Sequence, residues 1–311
     1  MNKEKLVTVL GPTAVGKTKT SIELAKALDG EIISGDSMQI YRGMDIGTAK
    51  VTEDEMEGIP HYLIDIKQPT ESFSAAEFQK LATGLVTDIN RRGKVPIIAG
   101  GTGLYVKSVT HQYAFSEAKE DPEYREQLEQ IADKEGPVTF HARLKDVDPA
   151  SYETIHPNNV RRVIRALEVY HVTGEPVSAS KDALPEQSPY NIVNVGLTMD
   201  RDVLYERINQ RVDLMVEAGL LEEAQRLYNE DVRNCQSVQA IGYKEIYRYL
   251  EDRVSLEDAI MELKQNSRRY AKRQLTWFRH QMAMDWYDMT EHREEKIQEI
   301  LKVVAGKLAD S

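Results

Sequence analysis

A short apolar run, Leu6-Val7-Thr8-Val9-Leu10, leads directly into Gly11-Pro12-Thr13-Ala14-Val15-Gly16-Lys17-Thr18, and Ser21 to Leu28 follows with helical spacing. A β-prone run, a G-x-x-x-x-G-K-[ST] loop and a helix in that order make a phosphate-binding loop. Gly11 and Gly16 let the backbone bend so that several N–H groups point into one cavity. The helix N-terminus adds partial positive charge. Lys17 supplies a full charge, and the Thr18 hydroxyl can hold a Mg²⁺ ion. A chain built around this loop is an α/β protein that holds a di- or triphosphate. The loop does not say what is done with it.

The remaining strands follow the same logic. Glu31 to Ser34 is a short strand that ends at Gly35-Asp36-Ser37. Ligands of open α/β sheets sit at the carboxyl ends of strands, so Asp36 is expected in the crevice of the phosphate loop. Met38 to Lys50 is a long polar loop. Third and fourth strands are expected at His61–Ile66 and Val95–Ala99, separated by a helix from Ser74 to Arg92 that opens with a capping box, Ser74 and Glu77. The fourth strand runs into a second glycine loop, Gly100-Gly101-Thr102-Gly103. A phosphate-loop protein that splits a nucleotide usually ends an apolar strand in an Asp serving Mg²⁺. Here that strand ends in glycines, and Asp65 sits inside its strand, which weakens an ATPase reading.

From about Ala114 to Pro189 no strand pattern appears. Helices are expected at 122–134, 138–147 and 157–173, with breaks at Gly136-Pro137, Asp148-Pro149 and Gly174-Glu175-Pro176. A strand returns at Asn191–Leu197, followed by helices at 201–217, 220–229, 241–249, 256–282 and 291–308. The fold class is therefore α/β: a P-loop NTPase-like parallel sheet flanked by helices, with an inserted all-helical domain. The boundaries fall at 1–113 and 190–311 for the core, and at 114–189 for an insertion expected over the crevice.

Composition enters through charge. The 311 residues carry a net charge of −11, which argues against non-specific nucleic-acid binding. The basic residues are nonetheless clustered. On the helix near 157–173, Val160, Val163, Ile164 and Leu167 share one face, while Asn158, Arg161, Arg162 and Arg165 share the other. Arg268, Arg269, Lys272 and Arg273 form a second stripe opposite Tyr270, Gln274 and Phe278; Trp277 and Phe278 read as core before they read as base-stacking platforms. A solvated charged face is the commoner reason for such a stripe. Two stripes beside a phosphate loop point instead to a polyanion larger than a nucleotide, and RNA fits. The one cysteine, Cys235, excludes an internal disulfide framework and goes with a cytoplasmic setting. No apolar run is long enough to span a membrane.

Taken together, GPTAVGKT at 11–18, GDSMQ at 35–39, MDIGTAK at 44–50, HYLID at 61–65, GGTGLY at 100–105, NVRRVIRALEVYHVTG at 159–174 and QAIGYKE at 239–245 resemble the bacterial tRNA dimethylallyltransferase (isopentenyltransferase) family. The resemblance runs from residue 5 to about residue 285 with no departure at the matched catalytic positions. It implies transfer of a dimethylallyl group from dimethylallyl diphosphate to N6 of the adenosine 3′ of the anticodon. The loop residues Gly11, Thr13, Ala14, Val15, Gly16, Lys17 and Thr18, with Arg211, would then hold the diphosphate, and Mg²⁺ would sit on Thr18. Asp36 is the expected base and Thr102 the second catalytic residue. Asp36, Ser37, Met38, Gln39 and Thr102 would grip the target base, and Arg125, Asn158, Arg161, Arg162 and Arg165 the anticodon stem-loop of the tRNA. Thr102 reads equally as a turn residue satisfying its own loop, and Arg211 as a surface arginine. The family reading also carries a monomer. Two other classes stay open: a small-molecule or nucleotide kinase, which uses ATP and no RNA, and a non-catalytic, nucleotide-switched RNA-binding protein, in which Asp36 is replaceable.

Overall fold

A computed structural model describes residues 3–113, 115, 118, 120–179 and 187–309. The chain divides into two compact units, Met1–His111 with Gln187–Ser311, and Gln112–Glu186. The sequence places the same breaks two or three residues later.

The first half of the larger unit runs β1 (Lys5–Leu10), α1 (Lys17–Leu28), β2 (Gly30–Ser34), α2 (Glu53–Met56), β3 (His61–Tyr62), α3 (Ala75–Arg91), β4 (Val95–Gly100) and α4 (Gly103–Thr110). The smaller unit holds α5 (Pro122–Glu135), α6 (Pro137–His141), α7 (Leu144–Val147), α8 (Pro149–Thr154) and α9 (Val160–Thr173). The larger unit resumes with β5 (Asn191–Thr198), α10 (Arg201–Glu217), α11 (Leu220–Asn229), α12 (Tyr243–Leu250), α13 (Leu256–Gln281), β6 (Asp285–Asp288) and α14 (Arg293–Ala309).

All six strands are parallel, in the order β3-β2-β4-β1-β5-β6. The alternation of β1 shows why this sheet is covered on both faces. Leu6 and Leu10 enter one core with Phe78, Val106 and Phe278, whereas Val7 and Val9 enter the other with Ile22, Ile32, Val195 and Ile300. All four are fully buried, as a central parallel strand requires. The polar residue of the strand, Thr8, is also buried and shares a hydrogen bond with Asn194 on β5 at 2.8 Å. The capping box at Ser74 and Glu77 is present.

The structure corrects several boundaries. The strand expected at His61–Ile66 stops at Tyr62, because Leu63 and Asp65 adopt left-handed backbone (φ 61° and 54°). The helix expected at 138–147 is two pieces, α6 and α7. The edge strand β6 and the helices α2, α4 and α8 carry too few periodic residues to be read from the sequence. Among the described residues no helix is long and apolar enough to cross a membrane.

The smaller unit has its own core, built from Leu128, Phe140, Leu144, Val163 and Ile164. Beside it lies a fully buried carboxylate, Glu168. Arg125 approaches it at 2.7 Å and Arg165 at 2.6 Å, and the Asp121 N–H donates to it at 2.8 Å. Burial alone would raise the pKa of Glu168. The Arg125, Asp121 and Arg165 hydrogen bonds outweigh burial and hold it below the usual carboxylate range.

Candidate active site

The carboxyl ends of β1, β2 and β4 open into one cavity of about 510 Å³, a typical size for a small-ligand site. Its walls include Lys17 and Thr18 of the phosphate loop, Asp36 to Gln39, Ala99 and Gly100, Arg207 and Arg211 of α10, and Tyr270, Arg273 and Gln274 of α13. All of these belong to the larger unit.

The phosphate loop is bent as its pattern requires. Gly16 takes φ 110°, a conformation that side chains strain to adopt. Ala14 is left-handed without being glycine (φ 65°), and the Arg207 Nε–H holds its carbonyl at 3.0 Å. Val15 is fully buried and anchors the loop tip in the core. Three residues near the start of α1 carry hydroxyls. Thr20 bonds back to the Gly16 carbonyl and Ser21 to that of Thr18, while Thr18 has no hydrogen-bond partner among the described residues and lines the cavity.

Lys17 Nζ donates to the Pro12 carbonyl at 2.7 Å. Burial, and then the charge of Arg211, lower its pKa to about 8, and Asp36 partly opposes them. Arg211 is itself pushed down by burial and supported by Asp36 and Glu55. It is therefore no surface arginine: it lines the cavity, and its Nη2 donates to the Ala49 carbonyl at 3.4 Å. Two cations in one partly buried cavity, with Asp36 the one carboxylate that acts on both, make a site that favours an anion.

The loops of Asp36 and Thr102 meet at Ser37; Asp36 lines the cavity and Thr102 stands behind its wall. The Met38 N–H donates to Asp36 Oδ1 at 2.8 Å, an Asx turn that aims the side chain. Thr102 caps α4 without using its side chain there. Its Oγ1 instead accepts the Ser37 N–H at 3.1 Å and donates to Ser37 Oγ at 3.3 Å. Thr102 thus joins the second glycine loop to the Asp36 loop and is more than a local turn residue.

The long loop after Asp36 forms a wall. Lys50 is buried and donates to the Tyr41 carbonyl, Asp45 and Asp65 at 2.7, 2.6 and 2.5 Å. Asp65 is thereby bound to a lysine, which removes it as a metal acid. Glu223 of α11 accepts the N–H groups of Asp45, Ile46 and Gly47 at 2.8 to 3.0 Å and the Tyr243 hydroxyl at 2.6 Å. Two residues beyond this nest Ala49 is left-handed (φ 46°), and its carbonyl receives Gln39 at 3.2 Å as well as Arg211.

In the smaller unit the structure exposes Asn158, Arg161 and Arg162. Arg165, expected on the same exposed stripe, turns onto Glu168 three residues later, as does Arg125. In the long helix, Arg268 donates to Asn209 at 2.5 Å, and Arg269, Lys272 and Arg273 are exposed. Trp277 and Phe278 belong to the core, edge to face. Sequence reasoning missed Arg207, Lys244, Tyr270 and Gln274 as cavity residues. Gln274 alone left a signal, a polar residue at helical spacing between buried Ala271 and Phe278.

Known proteins with this architecture decide the chemistry. The IPP transferase family model matches residues 39–281. The chain belongs to that family. A tRNA dimethylallyltransferase of Bacillus anthracis is 59% identical over 308 residues, covering 99% of this chain and 98% of the relative. The full-length tRNA isopentenylpyrophosphate transferase of Bacillus halodurans superposes with a TM-score of 0.76 at 58% identity, covering 99% and 98% of the two chains. A eukaryotic dimethylallyltransferase, captured acting on tRNA, superposes at 0.85 with 29% identity, covering 99% and 80%. IPP transferases are prenyltransferases, so the kinase and the non-catalytic switch fall away, and the phosphate loop belongs to an enzyme that moves a prenyl group.

The pKa of Lys17 makes a prediction. Its ammonium is charged below about pH 8, so affinity for inorganic diphosphate is full there and falls above, by at most about tenfold per pH unit. In titration calorimetry, Lys17→Met should bind weakly and lose that part of the pH dependence, since the ionisation of the diphosphate is common to both proteins. An identical pH step in the variant would contradict the assignment.

Proposed function

We propose that the chain transfers the dimethylallyl group of dimethylallyl diphosphate to N6 of the adenosine 3′-adjacent to the anticodon of tRNA, releasing diphosphate. The observation that carries this reading is one cavity in which the carboxylate of Asp36 neighbours two cations and a phosphate loop. Not every nucleophile needs a base beside it. An adenine amine does, because its lone pair is delocalised into the ring.

In the reaction a C–N bond forms as the allylic C–O bond breaks. Asp36 accepts the N6 proton as the new bond forms, and the negative charge leaves on the diphosphate. Lys17, Arg211 and the N–H groups of the loop stabilise that charge in a site already organised for it. Val212, Met215, Ile241 and Leu263 give the same cavity an apolar wall for the hydrocarbon.

A magnesium ion fits these residues in one way. Among the described residues no cluster of three His, Cys, Asp or Glu side chains could cage a metal. The unpartnered Thr18 hydroxyl lies in the cavity that also holds Asp36, and Mg²⁺ commonly binds through few protein ligands together with phosphate oxygens. Bound there, it would neutralise charge on the departing diphosphate. Thr18 would hold it and Lys17 would share the charge.

The target base lies in an RNA loop, where it can be turned out and read on its edges. Ser37, Met38, Gln39 and Thr102 beside Asp36 would grip it. Arg161, Arg162 and Asn158 are the exposed residues for RNA phosphates; the side chains of Arg125 and Arg165 stay about a third exposed beside Glu168. A cytoplasmic setting, where tRNA is modified, goes with this reading.

Two measurements test it. Asp36→Ala should leave tRNA affinity within about threefold and lower single-turnover transfer by two or more orders of magnitude, as expected for loss of a group acting in the transition state. Transfer that survives the substitution would mean Asp36 is not the base. Arg162→Ala should weaken tRNA binding and reduce the slope of log affinity against log salt by about one phosphate contact. An unchanged slope would remove Arg162 from the RNA surface.

A further inference from the structure

The β1–β4 ladder ends at the pair Leu10 and Gly100, and beyond it the two glycine loops are no longer held by strand pairing. Their next connection is a side chain more than 170 residues away. Gln274 of α13 accepts the Thr13 N–H on Oε1 at 3.0 Å and donates from Nε2 to the Gly101 carbonyl at 3.0 Å. It is 6% exposed. A Cβ on Gly101 would lie 2.2 Å from its Nε2, so the second loop is glycine where the amide must fit. One turn earlier on the same helix face, Tyr270 lies beside the side chains of both Thr102 and Gln274.

We propose that Gln274 is a positioning residue that sets the distance between the diphosphate loop and the Thr102 loop, and so between the leaving group and the attacking amine. The proposal rests on the reaction proposed above. Each loop keeps internal support without it: the Thr102 N–H still reaches the Gly35 carbonyl at 3.2 Å, and Val15 still anchors the phosphate loop. Loss of Gln274 therefore changes the relation between two binding sites more than either site. A glutamine is needed because the bridge requires one acceptor and one donor on one short group. An ionised glutamate supplies no donor and places negative charge beside the diphosphate. A protonated glutamic acid supplies both.

The test uses the full chain, unmodified tRNA and labelled dimethylallyl diphosphate, in single turnovers with both substrates saturating. Gln274→Ala should lower the transfer rate at least about tenfold, while affinities for inorganic diphosphate and for tRNA stay within about threefold, the pattern of lost alignment. Gln274→Glu should be impaired at about pH 8 and recover relative to wild type towards pH 6, the range into which burial moves a glutamic acid. The titratable and charged groups that line the same cavity, Lys17, Asp36, Arg211, Tyr270 and Arg273, are present in both proteins, so the ratio to wild type isolates what the new carboxyl adds. A wild-type transfer rate in Gln274→Ala, or a loss matched by equal losses of both affinities, would overturn the proposal. Should Gln274→Ala fail to fold, a flat pH ratio for Gln274→Glu would overturn it. Wild-type protein that puts no label into tRNA would instead refute the reaction on which the proposal rests.

Discussion

No side chain fits between Gly35 and Gly100. The β2–β4 ladder ends at Ser34 and Ala99, and at the next step a Cβ on Gly100 would lie 2.3 Å from the Gly35 carbonyl oxygen. This contact lets the two strand ends leave the sheet side by side. The Gly35 N–H reaches the Ala99 carbonyl at 2.8 Å, the Thr102 N–H reaches the Gly35 carbonyl, and Ser37 meets the Thr102 hydroxyl. Asp36 and Thr102, distant in sequence, become parts of one rigid corner. Because the strands are parallel and β1 lies next to β4, the phosphate loop opens beside that corner.

Rigidity matters because the charges of the site are held at a cost. Lys17 and Arg211 repel one another in a partly dehydrated cavity; Asp36 offsets both, and Glu55 adds support for Arg211. The structure maintains this through groups that never touch the cavity contents. Glu223 fills a nest of three backbone N–H groups in the same loop whose Ala49 carbonyl holds Arg211 and Gln39. A diphosphate entering such a site meets cations already in place, and little reorganisation is left for the reaction itself.

How much of this the sequence reveals follows from distance along the chain. The phosphate loop, Asp36 and Thr102 were legible because each sits within a few residues of an apolar strand, and strand ends converge. The pairing of Lys50 with Asp65 depends on left-handed turns at Ala49 and Asp65 that no composition rule shows. Gln274 stood out as a polar residue between buried positions, but neither it nor Glu223 showed what it anchors, because their partners lie 261 and about 177 residues away. Arg165 was read by helical face alone, which cannot weigh the pull of Glu168 one turn on. The edge strand β6 is four residues long and pairs on one side only, too little for a periodic signal.

The central claim is that the phosphate loop here holds the leaving group of a prenyl donor. It is tested most directly by incubating the protein with unmodified tRNA, Mg²⁺ and dimethylallyl diphosphate labelled in the hydrocarbon, with labelled ATP in a parallel reaction. The account predicts hydrocarbon label in the RNA, at N6 of the adenosine beside the anticodon, and no dependence on ATP. Absence of label from the RNA, with hydrolysis or phosphoryl transfer from ATP in its place, would contradict it.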